Sequence, residues 1–239
     1  MPRTRIKICG ITRPEDAQLA ADLGADAIGL NFVGGPRQID FARAGEVLTA
    51  IRPLVSVVGL IGINSPRVEN EHDLFVYQSC DCFQCYNSKS MSCDAESVYM
   101  KIRRDHYWSV CPIESRETLS SIKSLIIDLH GTTLKLISYM DALVLDTAVK
   151  GHLGGTGQSF NWHWIAEARA AGELTGLPPI ILAGGLNPDN VADAIRIAKP
   201  YAVDVSSGVE VPGKPGIKDP ARLRDFIQAV CGADAELTK

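Results

Sequence analysis

Cys9, in the run Lys7-Ile8-Cys9-Gly10-Ile11-Thr12, stands where a short apolar strand ends and a polar turn leads into a helix. A thiol at that place acts as a base once ionised, and the N-terminus of a following helix favours the thiolate. The same pattern also fits a buried structural cysteine. Asp146 closes a second apolar run, residues 142–145, and would face the same end of a sheet. Taken alone, an aspartate there also fits a helix cap or a loop anchor. A thiolate base and a carboxylic acid across one mouth can move protons between two carbons, or between carbon and oxygen.

Two later segments repeat the order of apolar strand, small or polar turn, then helix. Ile180-Ile181-Leu182-Ala183 runs into Gly184-Gly185, and Val203-Asp204-Val205 runs into Ser206-Ser207-Gly208. Bare backbone N–H groups in such loops suit a phosphate, although two tight turns would look alike. Arg37, in a Gly-Pro-Arg turn, offers a planar fork for a carboxylate, or is a solvated surface arginine. Cys80, Cys82 and Cys85, with Cys93 and Cys111 beyond, lack the paired second half of a zinc site, so no metal is expected. Gly154-Gly155-Thr156-Gly157 lacks the Lys-Ser/Thr ending of a nucleotide-binding loop. His130 is a lone histidine in a strand-like run.

The elements that must carry these residues alternate. Residues 5–8, 27–32 and 55–63 read as strands, the last a continuous apolar run suited to a buried parallel strand. Thr12 and Glu15 form a capping-box pair around Pro14, and Gly24 ends the helix that follows. Residues 41–51 suit a second helix. Further on, 142–145, 179–182 and 202–205 read as strands, with helices from about Trp162, from Asn187-Pro188 and from Asp219-Pro220. Alternation of this kind means a parallel sheet covered on its outer face.

The segment 65–140 breaks the rhythm. Residues 72–77 and 124–129 read as strands, but 78–85 has no helical stripe, and Ser, Asn, Tyr and Cys crowd the residues after it. The composition changes abruptly on both sides, so strands four and five are left open. Two compensating frameshifts would produce out-of-frame text of this length, and re-reading the coding DNA in the other frames tests that.

The totals set bounds. At 239 residues, with 46% hydrophobic and 22% charged residues, the chain can bury a full core. A net charge of −4 argues against a dedicated nucleic-acid binder. No apolar stretch approaches the roughly 20 residues of a membrane span. Met-Pro-Arg-Thr-Arg has no apolar region behind it, so the cytoplasm is expected and the seven cysteines are expected reduced.

Six ordered motifs carry a resemblance: Lys7-Ile8-Cys9-Gly10-Ile11-Thr12, Gly24-Ala25-Asp26-Ala27-Ile28-Gly29, Pro36-Arg37, Gly154-Gly155-Thr156-Gly157 with Phe160-Asn161-Trp162, Leu182-Ala183-Gly184-Gly185-Leu186, and Val203-Asp204-Val205-Ser206-Ser207-Gly208-Val209-Glu210. Together with Lys218-Asp219 they resemble the phosphoribosylanthranilate isomerases of tryptophan biosynthesis, over residues 1–64 and 141–239. The resemblance implies a single (βα)8 TIM barrel over 1–239 that needs no cofactor and isomerises a phosphorylated small molecule by an Amadori rearrangement. It implies Cys9 as general base, Asp146 as general acid, and Arg37 on the anthranilate carboxylate. Gly184, Gly185, Ser206, Ser207 and Gly208 would hold the phosphate, with Asp204 near the sugar. A monomer or homodimer is expected. The family's Gln-x-His-Gly strand motif and Lys-Ala pair are not found between 65 and 140. The alternatives are another sugar-phosphate isomerase or epimerase, and a degenerate barrel that keeps a phosphate site without turnover.

Overall fold

Strand β1 (Arg5–Ile8) alternates Ile6 and Ile8 with Lys7, so one face is apolar and the other carries an amine. In the computed structural model the apolar face meets helices and Lys7 points into the centre of a barrel. The structure describes residues 3–51, 53–62, 65, 68–86, 107–122, 124, 140–147 and 159–237. The strands are β1, β2 (Ala27–Asn31), β3 (Ser56–Ile61), β4 (Cys82–Cys85), β5 (Tyr107–Ile113), β6 (Met140–Thr147), β7 (Ile180–Leu182) and β8 (Ala202–Val205). All pair in parallel with their sequence neighbours, and β8 returns to β1 with Lys7 opposite Asp204, closing the barrel.

The helices are α1 (Pro14–Leu23), α2 (Phe41–Ala50), α3 (Glu71–Gln78), α4 (Arg116–Ser120), α5 (His163–Ala170), α6 (Val191–Ala198) and α7 (Pro220–Leu237). Side chains alternate across each strand. Outward residues such as Ile8, Leu30, Leu145 and Val203 pack against Ala17, Ala44, Ile165, Ala194 and Phe226 of the helices. Inward residues fill the barrel in two groups, Val110, Ala142, Val144, Ile181, Ala183 and Ala202, and then Cys9, Ala27, Val58, Leu60 and Cys82.

The middle of the chain corrects the reading from sequence. Residues 72–77 are not a strand: they lie in α3, where the Asn70 side chain accepts from the Asp73 N–H at 2.9 Å. The apolar run misleads because only Val76 is buried on this helix, leaving no stripe. Strands four and five, left open by the sequence, are both present. β4 is four residues long and wholly buried, with Phe83 stacked outward on Tyr77 at 4.5 Å between ring centroids. It bridges Leu60 of β3 and Trp108 of β5 through Gln84.

Two helix starts also differ. The Thr12 hydroxyl donates to the Gly216 carbonyl at 2.6 Å instead of capping α1, which begins at Pro14 without a side-chain cap. Asn187 holds a turn ahead of α6, accepting from the Asp189 N–H at 2.9 Å. Asp219 does cap α7, accepting from Ala221 and Arg222. The Gly154–Gly157 loop, Cys93, His130 and nearly all of 124–129 lie outside the described residues.

Candidate active site

The site lies at the C-terminal ends of the strands, where each chain leaves the barrel with one side chain turned inward. β1 delivers Cys9, β2 Asn31, β4 Tyr86, β6 Asp146, β7 the pair Gly184-Gly185, and β8 Asp204 and then Ser206-Ser207. With Arg37 from the β2–α2 loop they line one pocket of about 600 Å³, counting its solvent-open mouth. Of the residues singled out from sequence, eight line this pocket and Gly208 does not. Gly208 packs beneath it, where a Cβ would meet the Leu186 carbonyl oxygen at 1.8 Å.

Cys9 is seated tightly. Its N–H donates to Val205 at 2.8 Å, and its carbonyl accepts from the Lys218 ammonium at 2.7 Å. Gly29 makes room for it: a Cβ there would sit 2.7 Å from the sulfur. Helix α1 begins five residues beyond Cys9, so its N-terminus is not what acts on the thiol. Burial pushes the Cys9 thiol up, against the opposing pull of Lys7 and Lys218, and burial prevails.

Lys7 occupies the barrel centre, 2% exposed. It donates to the Asp204 carboxylate at 2.7 Å and to the Gln84 carbonyl oxygen at 3.0 Å. Burial pulls its ammonium down, but the charges and hydrogen bonds of Asp204 and Cys9 outweigh this and raise it. The second Asp204 oxygen, Oδ1, is buried with no hydrogen-bond partner among the described residues. Asp146 is pushed up to about 6, first by burial and then by the Asp204 charge, against the Thr147 N–H and Lys7. An aspartic acid near 6 is suited to give up a proton around neutrality.

Arg37 is not an open fork. Its Nε and one terminal nitrogen both donate to Glu210 at 2.8 Å, and Glu210 also accepts from Lys218 at 2.9 Å. Burial pushes the Glu210 carboxyl up, yet Arg37 and Lys218 together hold it below its usual range. Arg37 is thus fixed at the pocket wall with Nη1 as the edge left for a ligand. Opposite, Gly184 and Gly185 have φ of 87° and 64°, values that side chains resist. The backbone N–H groups of Gly184, Gly185, Ser206 and Ser207 donate to no group among the described residues. Such a cluster of free donors suits an anion.

The cysteines of the middle segment do not converge. Cys82 faces the barrel interior, whereas Cys80, Cys85 and Cys111 face the helices. Burial pushes Cys82 and Cys111 up to about 12. Among the described residues no group of three or more ligating side chains is placed to hold a metal.

Comparison with known proteins gives this geometry a context. The family model described as N-(5'-phosphoribosyl)anthranilate (PRA) isomerase matches residues 113–229. The N-(5'-phosphoribosyl)anthranilate isomerase of Pseudomonas fluorescens (strain Pf-5) is 39% identical over 231 residues, 96% of this chain and 97% of its own. This chain belongs to that family. The solved phosphoribosylanthranilate isomerase of Thermotoga maritima superposes with a TM-score of 0.71 at 28% identity, covering 96% of this chain and 99% of its own. Another solved family member, in complex with reduced 1-(o-carboxyphenylamino)-1-deoxyribulose 5-phosphate, gives 0.68 at 27% identity with the same coverage.

Seen as a family member, the chain retains more in its middle than the letters suggest. The fourth strand, where the family's Gln-x-His-Gly motif belongs, carries Gln84-Cys85 and is followed by Tyr86, so the motif is absent there although the strand itself is present and holds a glutamine. β5 carries no lysine, so the Lys-Ala pair is truly missing there. Lys7, Gln84, Tyr86, Glu210 and Lys218 escaped a role in the reading from sequence. A lysine inside an apolar strand was a usable signal, because a buried ammonium demands a partner.

Proposed function

We propose that this chain is a phosphoribosylanthranilate isomerase. It converts N-(5-phosphoribosyl)anthranilate to 1-(2-carboxyphenylamino)-1-deoxyribulose 5-phosphate, a step of tryptophan biosynthesis in the cytoplasm, as a monomer or homodimer and without a cofactor. The carrying observation is a protonatable Asp146 and a Cys9 thiol on the wall of one pocket whose other side is rimmed by free N–H groups.

The chemistry comes from those positions. Asp146 gives its proton to the furanose ring oxygen as the C1–O bond breaks, which leaves an iminium between C1 and the anthranilate nitrogen. The positive nitrogen acidifies C2–H and favours a thiolate nearby, so Cys9 removes the C2 proton and an enolamine forms. Protonation at C1, with loss of the proton from the C2 hydroxyl, gives the ketone. The N–H groups at Gly184, Gly185, Ser206 and Ser207 hold the phosphate, and Gly208 keeps their two loops in contact. Asp204 accepts from a sugar hydroxyl through its unpartnered oxygen, and Arg37 reaches the anthranilate carboxylate through Nη1. Anchoring both ends keeps the open-chain intermediate in reacting geometry.

The test is a fluorescence assay of substrate consumption with wild type, Cys9→Ser and Asp146→Asn. Wild type turns over, and each variant loses on the order of 10²–10⁴ in kcat. Equal activity in all three would sink the site assignment. An inactive but folded wild type would support the degenerate barrel, which the missing β5 lysine favours.

A further inference from the structure

Tyr86 lines the pocket, and its surroundings dictate where its proton points. Lys7 has donors only, so at 3.0 Å it must face the carbonyl oxygen of the Gln84 amide. That fixes the amide's orientation and turns its NH2 group toward Tyr86, whose hydroxyl oxygen lies 3.1 Å away and accepts from it. With its oxygen engaged as acceptor, the Tyr86 hydroxyl has its own hydrogen left to give. No acceptor for that hydrogen is found among the described residues. The ring is half-buried, packed on both inner clusters of the barrel, and forms part of the pocket wall with Cys9 and Asp146.

We propose that Tyr86 is a positioning donor for the substrate, its hydroxyl hydrogen directed by the Lys7–Gln84 chain onto a sugar oxygen beside the reacting carbons. The proposal rests on the isomerase reading and adds a substrate contact to it. Burial, and then the negative charges of Cys9, Asp146 and Asp204 when ionised, push the Tyr86 phenol well above its ordinary value. It therefore stays protonated across the working range, and a neutral donor does not compete with Asp146 as the acid. A histidine in this place would also donate through a ring N–H, with a different reach and volume.

The experiment uses the full chain with Tyr86→Phe, Tyr86→His, Gln84→Glu and the Gln84→Glu/Tyr86→Phe double variant. The probe is the reduced product analogue, reduced 1-(o-carboxyphenylamino)-1-deoxyribulose 5-phosphate, titrated by equilibrium binding. Tyr86→Phe keeps the ring and loses the hydrogen, and its Kd rises about tenfold, the size of one lost hydrogen bond. Tyr86→His returns to within about threefold of wild type, as expected of a replacement donor. Gln84→Glu presents only acceptors, so the tyrosine hydrogen turns back to it and leaves the ligand. In the Tyr86→Phe background Gln84→Glu then costs clearly less than it does alone, a coupling that the double-mutant cycle reads directly. Inorganic phosphate, bound at the far wall, keeps its affinity in Tyr86→Phe, whereas a general loss of structure would weaken both ligands. Ribulose 5-phosphate carries sugar oxygens without the aryl carboxylate, and it weakens by the same factor as the analogue. Tyr86→Phe binding the analogue as wild type does overturns the proposal, and unchanged ribulose 5-phosphate binding overturns the sugar assignment. If wild type binds the analogue but does not turn over, the isomerase reading fails while the contact stands.

Discussion

Asp146 and Cys9 face one pocket in protonation states that a simple reading would reverse. Burial lifts the Asp146 carboxyl to about 6 and lifts the Cys9 thiol above the ordinary thiol range, so the resting pair is carboxylate and thiol near neutrality. The competent pair, carboxylic acid and thiolate, is a minor form. Its population is constant between the two pKa values, because raising pH ionises the thiol as fast as it deprotonates the acid. It falls below the lower value, where Asp146 is already saturated with protons and the thiolate keeps shrinking. The pH profile of kcat/KM is therefore expected to be flat upward from pH about 6, and to drop about tenfold per unit well below it. A profile that declines from pH 6 upward would show Cys9 already ionised in the free protein. It would overturn the view that burial outweighs Lys7 and Lys218 at the sulfur.

At the scale of elements, the loops after β7 and β8 form one unit through Gly208. A Cβ there meets the Leu186 carbonyl oxygen at 1.8 Å, backbone against backbone, with no flexible side chain to give way. Gly208→Ala is expected to cost about 1–3 kcal/mol as overpacking and to lower Tm by roughly 2–4 °C per kcal/mol, with weaker phosphate binding. An unchanged melt would mean the loops separate freely. Nothing in the letters around Gly208 shows this contact, whereas strands β1–β3 and β6–β8 were legible because buried parallel strands are apolar runs that end on a polar or small residue. α3 and β4 were not. α3 buries only Val76, and β4 spends two of its four residues, Cys82 and Gln84, on the inner face, so neither shows a period. No Gln-x-His-Gly run marks the fourth strand, and its pairing with Leu60 and Trp108 identifies it where the sequence does not. For Arg37 the sequence leaves open a carboxylate fork or a solvated arginine, because Glu210, which holds it, lies 173 residues away, a distance no local pattern spans.

Across the whole molecule, one lysine joins opposite walls of the barrel. Lys7 on β1 ties Asp204 on β8 to Gln84 on β4, and it lies beside the Cys9 thiol and, through Gln84, beside Tyr86. Lys7 and Asp204 are 2% and 7% exposed, so each depends on the other for its charge. Removing one partner of such a pair leaves an uncompensated buried ion and costs about 3–5 kcal/mol, whereas neutralising both is far milder. Lys7→Met is thus expected to destabilise the chain by that amount in urea unfolding at pH 7. Lys7→Met/Asp204→Asn should regain a large part of it, because the stranded carboxylate is gone. The raised Lys7 pKa keeps the ammonium charged at every pH below the ordinary lysine value, so the loss on Lys7→Met is present in full across the neutral range. If the double variant proves no more stable than Lys7→Met, the pair is not coupled. The barrel centre would then owe its stability to the packing of Val110, Val144, Val58 and Leu60 around the charges, with the ion pair a passenger among them.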